Sequence, residues 1–244
     1  MKENILITAN RDLASELFAG SADHKNLLHL PLEAYSAETD HEAAVQFTEK
    51  PDAFEFVLHG NLLNTRYFME WVNQEGMLQS LQNRIHLACD APTASYLESE
   101  GIPAILPKRG GKPIDVLEFM LRITKEGASL YPARDGEQEE LPALLRELDL
   151  PVLEFIVCRE RTLSKSELSN YRKRAAKEDF SHILIHNQGS FTRLRTVFPQ
   201  LNLKKFRIIS GSPGVTNRLI EEGLEPVREA DGTWVSIRET ITDL

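Results

Sequence analysis

The segment FEFVLH at 54–59 returns as FSHILIH at 180–186, and this repetition decides the predicted fold. A second match follows each segment, because YLESEGIP at 96–103 corresponds to RLIEEGLE at 218–225. The matching segments lie roughly 120 to 126 residues apart, and self-similarity at a fixed spacing indicates repeated copies of one structural unit. The chain is therefore predicted to contain two similar domains.

Short apolar runs alternate with segments of helical spacing along both copies. Ile5-Leu6-Ile7-Thr8 opens the first copy, and Ala128 to Tyr131 opens the second, followed by a turn predicted at 132–136. Strands that alternate with helices favour parallel sheets with helices on both faces. Each copy has about five predicted strands, which fits a doubly wound sheet. We therefore predict an α/β protein with two similar doubly wound parallel-sheet, flavodoxin-like domains.

The composition limits the classes of partner. With 28 Lys and Arg against 37 Asp and Glu, the net charge of −9 argues against general nucleic-acid binding, which needs a basic surface. Cys89 and Cys158 occur in strand-like segments without metal-ligand spacing, as expected in a reducing compartment. The sequence has neither a secretory h-region nor an apolar run near the ~18 residues of a membrane span. We expect a soluble, cytoplasmic monomer that does not bind membranes.

The turns after the predicted strands carry the candidate binding residues. In such folds the helix N-termini at these turns present unpaired backbone N–H groups and the positive end of the helix dipole. Helix capping is the alternative explanation for the same polar and glycine residues. The predicted turns are 8–12, 59–64, 90–93, 133–136, 186–190 and 210–216.

Two histidines, His59 and His186, occupy equivalent positions just past equivalent strands. A histidine at a strand end can take part in proton transfer, and the alternative is a structural role inherited by both copies. His182 and His186 would share one face of a strand, but no third ligand accompanies them, so we predict no metal site.

No nucleotide-binding or metalloprotease motif is present, and we predict no cofactor. Basic residues in turns and connections could meet carboxylates, or they could simply form a solvated surface. These residues are Arg11, Lys108, Arg109, Lys112, Arg134, Arg159, Arg161 and Lys165.

Taken together, three features of the chain resemble uroporphyrinogen-III synthases, in order and over nearly the whole length. They are the opening run at 5–8, the paired strand-turn-helix units, and two turn segments, 88–101 with Thr93 and 211–223 with Ser212-Pro213. The resemblance implies two α/β domains joined by two extended linkers, with the first strands of the two copies exchanged.

The resemblance also implies the domain boundaries. The linkers would lie near 32–37 and 155–162, which contain or adjoin the matching pairs Leu32-Glu33 and Leu153-Glu154. One domain would comprise 1–34 plus 161–244, and the other 37–157.

The activity implied by the resemblance is the closure of hydroxymethylbilane, a linear, polyanionic tetrapyrrole, to uroporphyrinogen III. Water is lost and the last pyrrole ring is inverted, without a cofactor or metal, in a cleft between the domains. The bilane can close spontaneously to the wrong isomer, so positioning and dipolar stabilisation of an azafulvene cation would dominate the catalysis.

The residues at the family's motif positions become the candidate site. His186 and Thr216 are the candidates to help the hydroxyl leave. The expected substrate contacts are Thr8, Arg11, His59, Gly60, Asn61, Thr93, Cys158, Asn187, Gln188, Ser212, Pro213, Gly214 and Val215.

Several of these positions depart from the family pattern. His59-Gly60 and His186-Asn187 stand where the family usually has Thr-Ser, and Cys158 stands in place of a linker tyrosine. The family's Gly-Pro-Thr-Thr turn aligns with 212–215, which leaves Thr216 one place late. The family's arginine after the first strand falls at Ala9, with Arg11 two places on.

Backbone N–H groups survive such changes, because anion binding at a helix terminus depends on geometry more than on side chains. Two other functions stay open. One is a non-catalytic homologue that binds a tetrapyrrole or another polycarboxylate, and the other is a solute-binding protein with hinge closure.

Overall fold

The computed structural model of the protein describes residues 4–19, 26–107, 112–123, 128–137 and 139–244. Its strands are β1 (Ile5–Ile7), β2 (Leu27–His29), β3 (Ala34–Ala37), β4 (Phe54–His59), β5 (Ile85–Ala88), β6 (Ala104–Ile105), β7 (Ala128–Arg134), β8 (Val152–Arg161), β9 (His182–Ile185), β10 (Arg207–Ser210) and β11 (Pro226–Glu229).

The helices alternate with these strands. They are α1 (Ser15–Phe18), α2 (His41–Glu49), α3 (Leu62–Gln74), α4 (Leu78–Gln82), α5 (Ala91–Ser99), α6 (Pro113–Ile123), α7 (Glu140–Glu147), α8 (Lys165–Lys177), α9 (Gln188–Val197), α10 (Pro213–Glu221) and α11 (Trp234–Thr242), with short 3-10 helices at Pro51–Ala53 and Leu203–Lys205. Within the described residues, no helix combines the length and apolar character that crossing a bilayer requires.

The chain divides into two compact units. Unit 1 comprises Met1–Ala34 and Arg161–Leu244, and unit 2 comprises Tyr35–Glu160. The described strands form one sheet of order β11-β10-β9-β1-β2 and a second of order β3-β8-β7-β4-β5-β6. The first two strands of each sequence copy thus lie beside the later strands of the other copy.

Both sheets follow one topological rule. In the first sheet, β1 pairs in parallel with β2 and β9, and β10 pairs in parallel with β9 and β11. Numbered by position in the repeat, each sheet has the flavodoxin-like order 2-1-3-4-5, with β3 added at one edge of the second sheet. The predicted α/β class with parallel sheets is confirmed.

The strands of the first sheet alternate between two apolar cores. Leu6, Ile183 and Ile185 pack in one core, together with apolar residues of α8, α9 and α10. Ile7 and Leu184 pack in the other, with residues of α1 and α11. Because successive strand residues point to opposite faces, this partition means that helices cover both faces of the sheet.

The second sheet is also covered on both faces. Phe56 and Leu58 pack with apolar residues of α6 and α7. On the other side, Phe47 of α2 and Phe68 of α3 belong to an aromatic cluster that includes Phe155 of β8. Each unit therefore has its own interior.

The segments expected to be linkers are strands in the structure, because β3 and β8 are neighbours in the second sheet. After β3, the backbone N–H of Glu38 donates to Val157 O (2.9 Å) and that of Asp40 to Ile156 O (3.1 Å). Pairing of this kind satisfies the backbone polar groups of an extended segment.

The turn predicted at 132–136 was placed too early, because β7 continues to Arg134. Proline is usually excluded from the middle of a sheet, since it cannot donate a ladder hydrogen bond. Here Pro132 follows the last β4 pair of β7, Val57 with Leu130, and only the β8 pairing continues beyond it. The strand therefore tolerates the missing N–H.

We predict that Gly211→Ala destabilises the protein by about 1 to 3 kcal/mol, because the new Cβ would lie 2.5 Å from the backbone oxygen of His186. Urea denaturation monitored by circular dichroism measures the change. Gly214→Ala is the matched control, since nothing lies within 4 Å of its Cβ, and alanine at this position in α10 should be neutral or slightly stabilising. Equal stability of the two variants would contradict the close approach.

Candidate functional site

The predicted site residues of unit 1 lie at the carboxyl ends of three neighbouring strands. Thr8 and Arg11 follow β1, His186 to Gln188 follow β9, and Ser212 to Thr216 follow β10. We call this part of unit 1 the strand-end edge. In open parallel sheets, ligands bind outside the carboxyl ends of the strands.

A buried carboxylate, Glu33, is the centre of the strand-end edge. Its side chain is 1% exposed, and its Oε1 atom accepts from His186 Nε2 (2.9 Å) and from the Arg193 guanidinium. The other oxygen, Oε2, accepts from the backbone N–H of Asn10 (3.3 Å). Three chain segments that are distant in sequence therefore meet at one carboxyl group.

The charge of Glu33 follows from these contacts. Burial alone would raise its pKa, but the hydrogen bond and charge of His186, the charge of Arg193 and the N–H of Asn10 together lower the pKa to about 2. Glu33 is therefore ionised at neutral pH and can only accept hydrogen bonds.

The imidazole of His186 is held by a hydrogen bond at one edge and by an aromatic ring against one face. Nε2 bonds to Glu33, and the Trp234 ring of α11 lies 5.3 Å from the imidazole between centroids. The other nitrogen, Nδ1, is buried and has no hydrogen-bond partner among the described residues. A buried polar atom without a partner is costly, so each one calls for an explanation.

Two hydroxyl oxygens of the strand-end edge are likewise buried without a hydrogen-bond partner among the described residues. Oγ1 of Thr8 and Oγ1 of Thr216 are buried, and neither has a hydrogen-bond partner within the described part of the chain. Both residues were candidates from the sequence. Together with His186 Nδ1, they give the edge three polar atoms that a ligand can satisfy.

The helix starts at this edge confirm the capping explanation for some polar side chains. Asn187 Oδ1 accepts from the N–H of Ser190 (2.7 Å), and Ser212 Oγ accepts from the N–H of Val215 (3.4 Å). These side chains are occupied within the protein. The first N–H groups of α9 belong to Gln188 and Gly189. As at every helix start, they have no acceptor within the helix.

The predicted site residues of unit 2 lie at or just past the ends of β4 and β5, with Cys158 inside β8, and their surroundings are different. Glu139 accepts from the Tyr131 hydroxyl (2.5 Å) and from Asn64 Nδ2 (2.8 Å). A Cβ at Gly60 would overlap the Tyr131 hydroxyl. Burial, followed by the charge of Glu139, raises the pKa of Tyr131 well above its ordinary value, so its hydroxyl stays protonated.

His59 is packed inside unit 2 and is fully buried. Its Nδ1 lies 3.2 Å from Thr65 Oγ1, and its Nε2 lies 3.0 Å from His86 Nδ1. Burial, followed by the charge of His86, lowers its pKa well below the usual value. Although His59 and His186 match in sequence, their side chains are held by different partners, and only His186 bonds to a carboxylate.

The remaining predicted contacts of unit 2 are also enclosed. Cys158 is buried, with Sγ 4.0 Å from Asn64 Oδ1, and burial raises its pKa to about 12. Thr93 is buried, and Asn61 caps α3 by accepting from the N–H of Asn64 (2.9 Å). Unit 2 thus brings its candidates to one end of the sheet but buries most of their side chains.

Several of the basic candidates form ion pairs. Arg134 is buried, ion-paired with Glu137 (2.5 Å) and Glu139 (3.9 Å), and Arg159 pairs with Glu38 (2.7 Å). Arg161 pairs with Glu167 (2.8 Å). Arg11 is exposed above the Phe18 ring, and Lys112 and Lys165 are exposed as well. Lys108 and Arg109 lie outside the described residues.

Sequence reasoning missed Glu33, Arg193 and Trp234 as site residues. Glu33 lies in the matched Leu-Glu segment, which predicted a linker and not a site. In the structure its repeat counterpart Glu154 pairs with Arg146. Arg193 lies two turns into α9, where charged residues usually face solvent. The clue available in the sequence was a glycine, Gly189, that lets the Arg193 guanidinium lie close to the start of α9.

Within the described residues, no metal-ligand cluster competes with the strand-end edge, and the apolar cavity of unit 1 lies elsewhere. No group of three or more His, Cys, Asp or Glu side chains suited to a metal occurs in the described part of the chain. A cavity of about 660 Å³ in unit 1 lies at the opposite ends of the strands, beside Phe180 and Phe206. Its lining is mainly apolar and includes none of the strand-end groups, so we place the candidate site at the strand-end edge.

We predict that Glu33→Gln lowers the free energy of unfolding most at neutral pH. Because the folded-state pKa is depressed to about 2 from 4.5, the carboxylate contributes stability above pH 4.5 and loses it as the pH falls toward 2. The expected loss is on the order of 2 to 3 kcal/mol at about pH 7 and smaller at about pH 3.5, by urea denaturation. Exposed Glu55→Gln controls for the loss of one negative charge, and a pH-independent difference would contradict the assignment.

Comparison with known proteins gives the fold and leaves the family open. No protein-family model matches the chain, and no curated protein matches it. The solved uroporphyrinogen-III synthetase of Helicobacter pylori 26695 superposes with a TM-score of 0.64 at 14% identity, covering 100% of this chain and 99% of that one. A mutant uroporphyrinogen III synthase of the extremely thermophilic bacterium Thermus thermophilus gives 0.54 at 14% identity, covering 99% and 97%. The chain therefore has the fold of these two synthases over its whole length.

Proposed function

We propose that this protein is a uroporphyrinogen-III synthase, which closes hydroxymethylbilane to uroporphyrinogen III with loss of water and inversion of the last pyrrole ring. The likeness of the whole chain to two solved synthases supports the proposal. Since a fold hosts several functions, the site carries more of the argument.

The observation that carries the proposal is the set of unsatisfied polar atoms at the strand-end edge. Thr8 Oγ1, His186 Nδ1 and Thr216 Oγ1 are buried without partners among the described residues. His186 immediately precedes the cap of α9 and Thr216 lies in the first turn of α10, where free N–H groups favour anions. A ligand with both carboxylates and a hydroxyl group matches these two kinds of site.

Recognition of the polyanion would rest on local donors. The protein carries a net charge of −9, so long-range attraction does not bring the substrate to it. The N–H groups of Gln188 and Gly189 in unit 1, and those near Gly60 and Asn61 in unit 2, can donate to acetate and propionate groups. Hydrogen bonds to charged acceptors are about twice as strong as neutral ones.

The chemical step would need little from side chains. The bilane loses its hydroxyl readily and closes without help to the wrong isomer, so the protein must hold the conformation that leads to the spiro intermediate. His186 or Thr216 would assist departure of the hydroxyl. Helix N–H groups would hold the substrate carboxylates in fixed positions. The proposed reaction uses no cofactor, metal, nucleic acid or partner chain.

A non-catalytic homologue that binds a tetrapyrrole or another polycarboxylate is the second candidate function. It gains support from unit 2, where the side chains of His59 and Cys158 are buried. Binding by backbone N–H groups would survive this burial, whereas proton transfer by these side chains would not.

We expect the purified protein to convert hydroxymethylbilane mainly to the type III isomer, because the site would hold the bilane in the productive conformation. Oxidation of the products to porphyrins and isomer-resolved chromatography measure the ratio. Bilane alone gives the spontaneous type I control. Type I product at the spontaneous rate rejects the synthase, and saturable binding of the bilane without turnover then supports the second candidate.

We also expect Gln188→Pro to raise KM by about tenfold, because it removes the first N–H group of α9 from a carboxylate contact. Asn187 has φ −147° and ψ 172°, the extended conformation that a residue before proline requires, and proline is well tolerated at the first helical position. Initial rates across bilane concentrations give KM and kcat.

Gln188→Ala is the matched control for this change, because it removes the side chain and keeps the N–H group. KM values that rise equally in both variants would mean that the backbone donor is not used.

A further inference from the structure

The buried pair of Glu33 and His186 carries an inference beyond the proposed function. We propose that Glu33 is a positioning residue, which fixes His186 in the tautomer whose Nδ1 atom exchanges a proton with the substrate. The role in turnover rests on the proposed function, whereas the tautomer is a property of the protein itself.

The tautomer follows from the donors that meet at the carboxyl group. Arg193 and the backbone N–H of Asn10 can only donate, and both bond to Glu33. An ionised carboxylate can only accept. The 2.9 Å contact with His186 Nε2 must therefore carry its hydrogen on the imidazole, which leaves Nδ1 as the nitrogen that gains or loses a proton.

The position of the ring is fixed by the backbone as well. A Cβ at Gly211 would lie 2.5 Å from His186 O and 2.6 Å from its Cα atom, so the end of β10 packs directly against the main chain of His186. Trp234 lies beside the imidazole. Because the main chain, one ring edge and one ring face are all held, Nδ1 has a defined place at the end of β9.

Arg193 sets the electrostatics of this pair. It shares Oε1 of Glu33 with His186, and its guanidinium lies beside Gly189 at the start of α9. Since Arg193 supplies a permanent positive charge beside the carboxylate, Glu33 stays ionised and keeps accepting from His186 Nε2.

The charged and polar groups that face His186 come from each neighbouring segment. They are Glu33 after β2, Arg193 from α9, and the uncharged Trp234 from α11. Glu33 occupies Nε2, so Nδ1 remains as the nitrogen that can exchange a proton.

The proton exchange balances over the proposed reaction. The proton on Nδ1 passes to the hydroxyl oxygen of the bilane as the C–O bond breaks. The electron pair of that bond leaves with the oxygen, which departs as water, and an azafulvene cation remains. The spiro intermediate then forms and opens without net proton change. On final closure, the proton lost from the unsubstituted α-carbon of the last pyrrole returns to Nδ1.

The first arm of the test reads the tautomer without turnover. The full chain labelled with ¹⁵N-histidine is examined by two-dimensional NMR at alkaline pH, with His186→Gln used to assign the signals. We expect hydrogen on Nε2 in the wild type. In Glu33→Leu, which removes the acceptor of the Nε2–H group, we expect this preference for Nε2 to be lost. A wild-type ring with hydrogen on Nδ1 overturns the proposal.

The second arm measures steady-state rates. We expect Glu33→Gln to lower kcat by about 100-fold with KM within about twofold. Glu33→Asp, which keeps the charge, should have a kcat at least tenfold higher than that of Glu33→Gln and should retain the wild-type tautomer.

Glu222→Gln is the matched control for the second arm. It removes a carboxylate that bonds to Arg195 and Arg218 on the exposed surface, and its kcat should stay within about twofold of the wild type. A Glu33→Gln rate equal to that of Glu222→Gln overturns the positioning role. If the wild-type chain makes no type III product, the proposed function fails, and the NMR arm still decides whether Glu33 sets the tautomer.

Discussion

The strand-end edge of unit 1 depends on one buried charge, the carboxylate of Glu33. An ionised carboxyl group that is buried away from water is stable only when hydrogen-bond donors replace the water that would otherwise solvate its oxygens. His186, Arg193 and the N–H of Asn10 provide these donors. Since they belong to the end of β9, to α9 and to the turn after β1, the charge requires these segments to meet. Removing any one donor leaves the charge undersatisfied.

The duplication explains why two similar sheets carry different sites. Each sheet has the same order because the copies exchange their first two strands, so equivalent strand ends face equivalent helix starts. The side chains then diverged. His186 meets a carboxylate, whereas His59 meets Thr65 and His86. In unit 2 the carboxylate comes instead from Glu139, which is partly buried at the N-cap of α7. Symmetry of the fold thus supplies positions, and individual residues determine their chemistry.

Much of the fold was predictable from local patterns, and the centre of the site was not. The repeat of 54–59 at 180–186 gave the strands correctly, and both segments end in histidine. The pairing of Glu33 with His186 spans 153 residues, and no local periodicity encodes such a contact. Proline also misled the prediction at Pro132, because its tolerance in β7 depends on where the pairing with β4 ends. Long-range contacts and ladder ends are properties of the assembled sheet.

The proposed reaction gives a physical reason why such a site can change its side chains and keep its fold. A bilane that loses water and closes by itself needs orientation more than acid or base strength, and orientation comes from helix starts and strand ends. Donors on the backbone persist through substitution, as at the starts of α9 and α10, whose caps are Asn187 and Ser212. A histidine fixed by a buried carboxylate can then add proton transfer to a site that already positions its ligand.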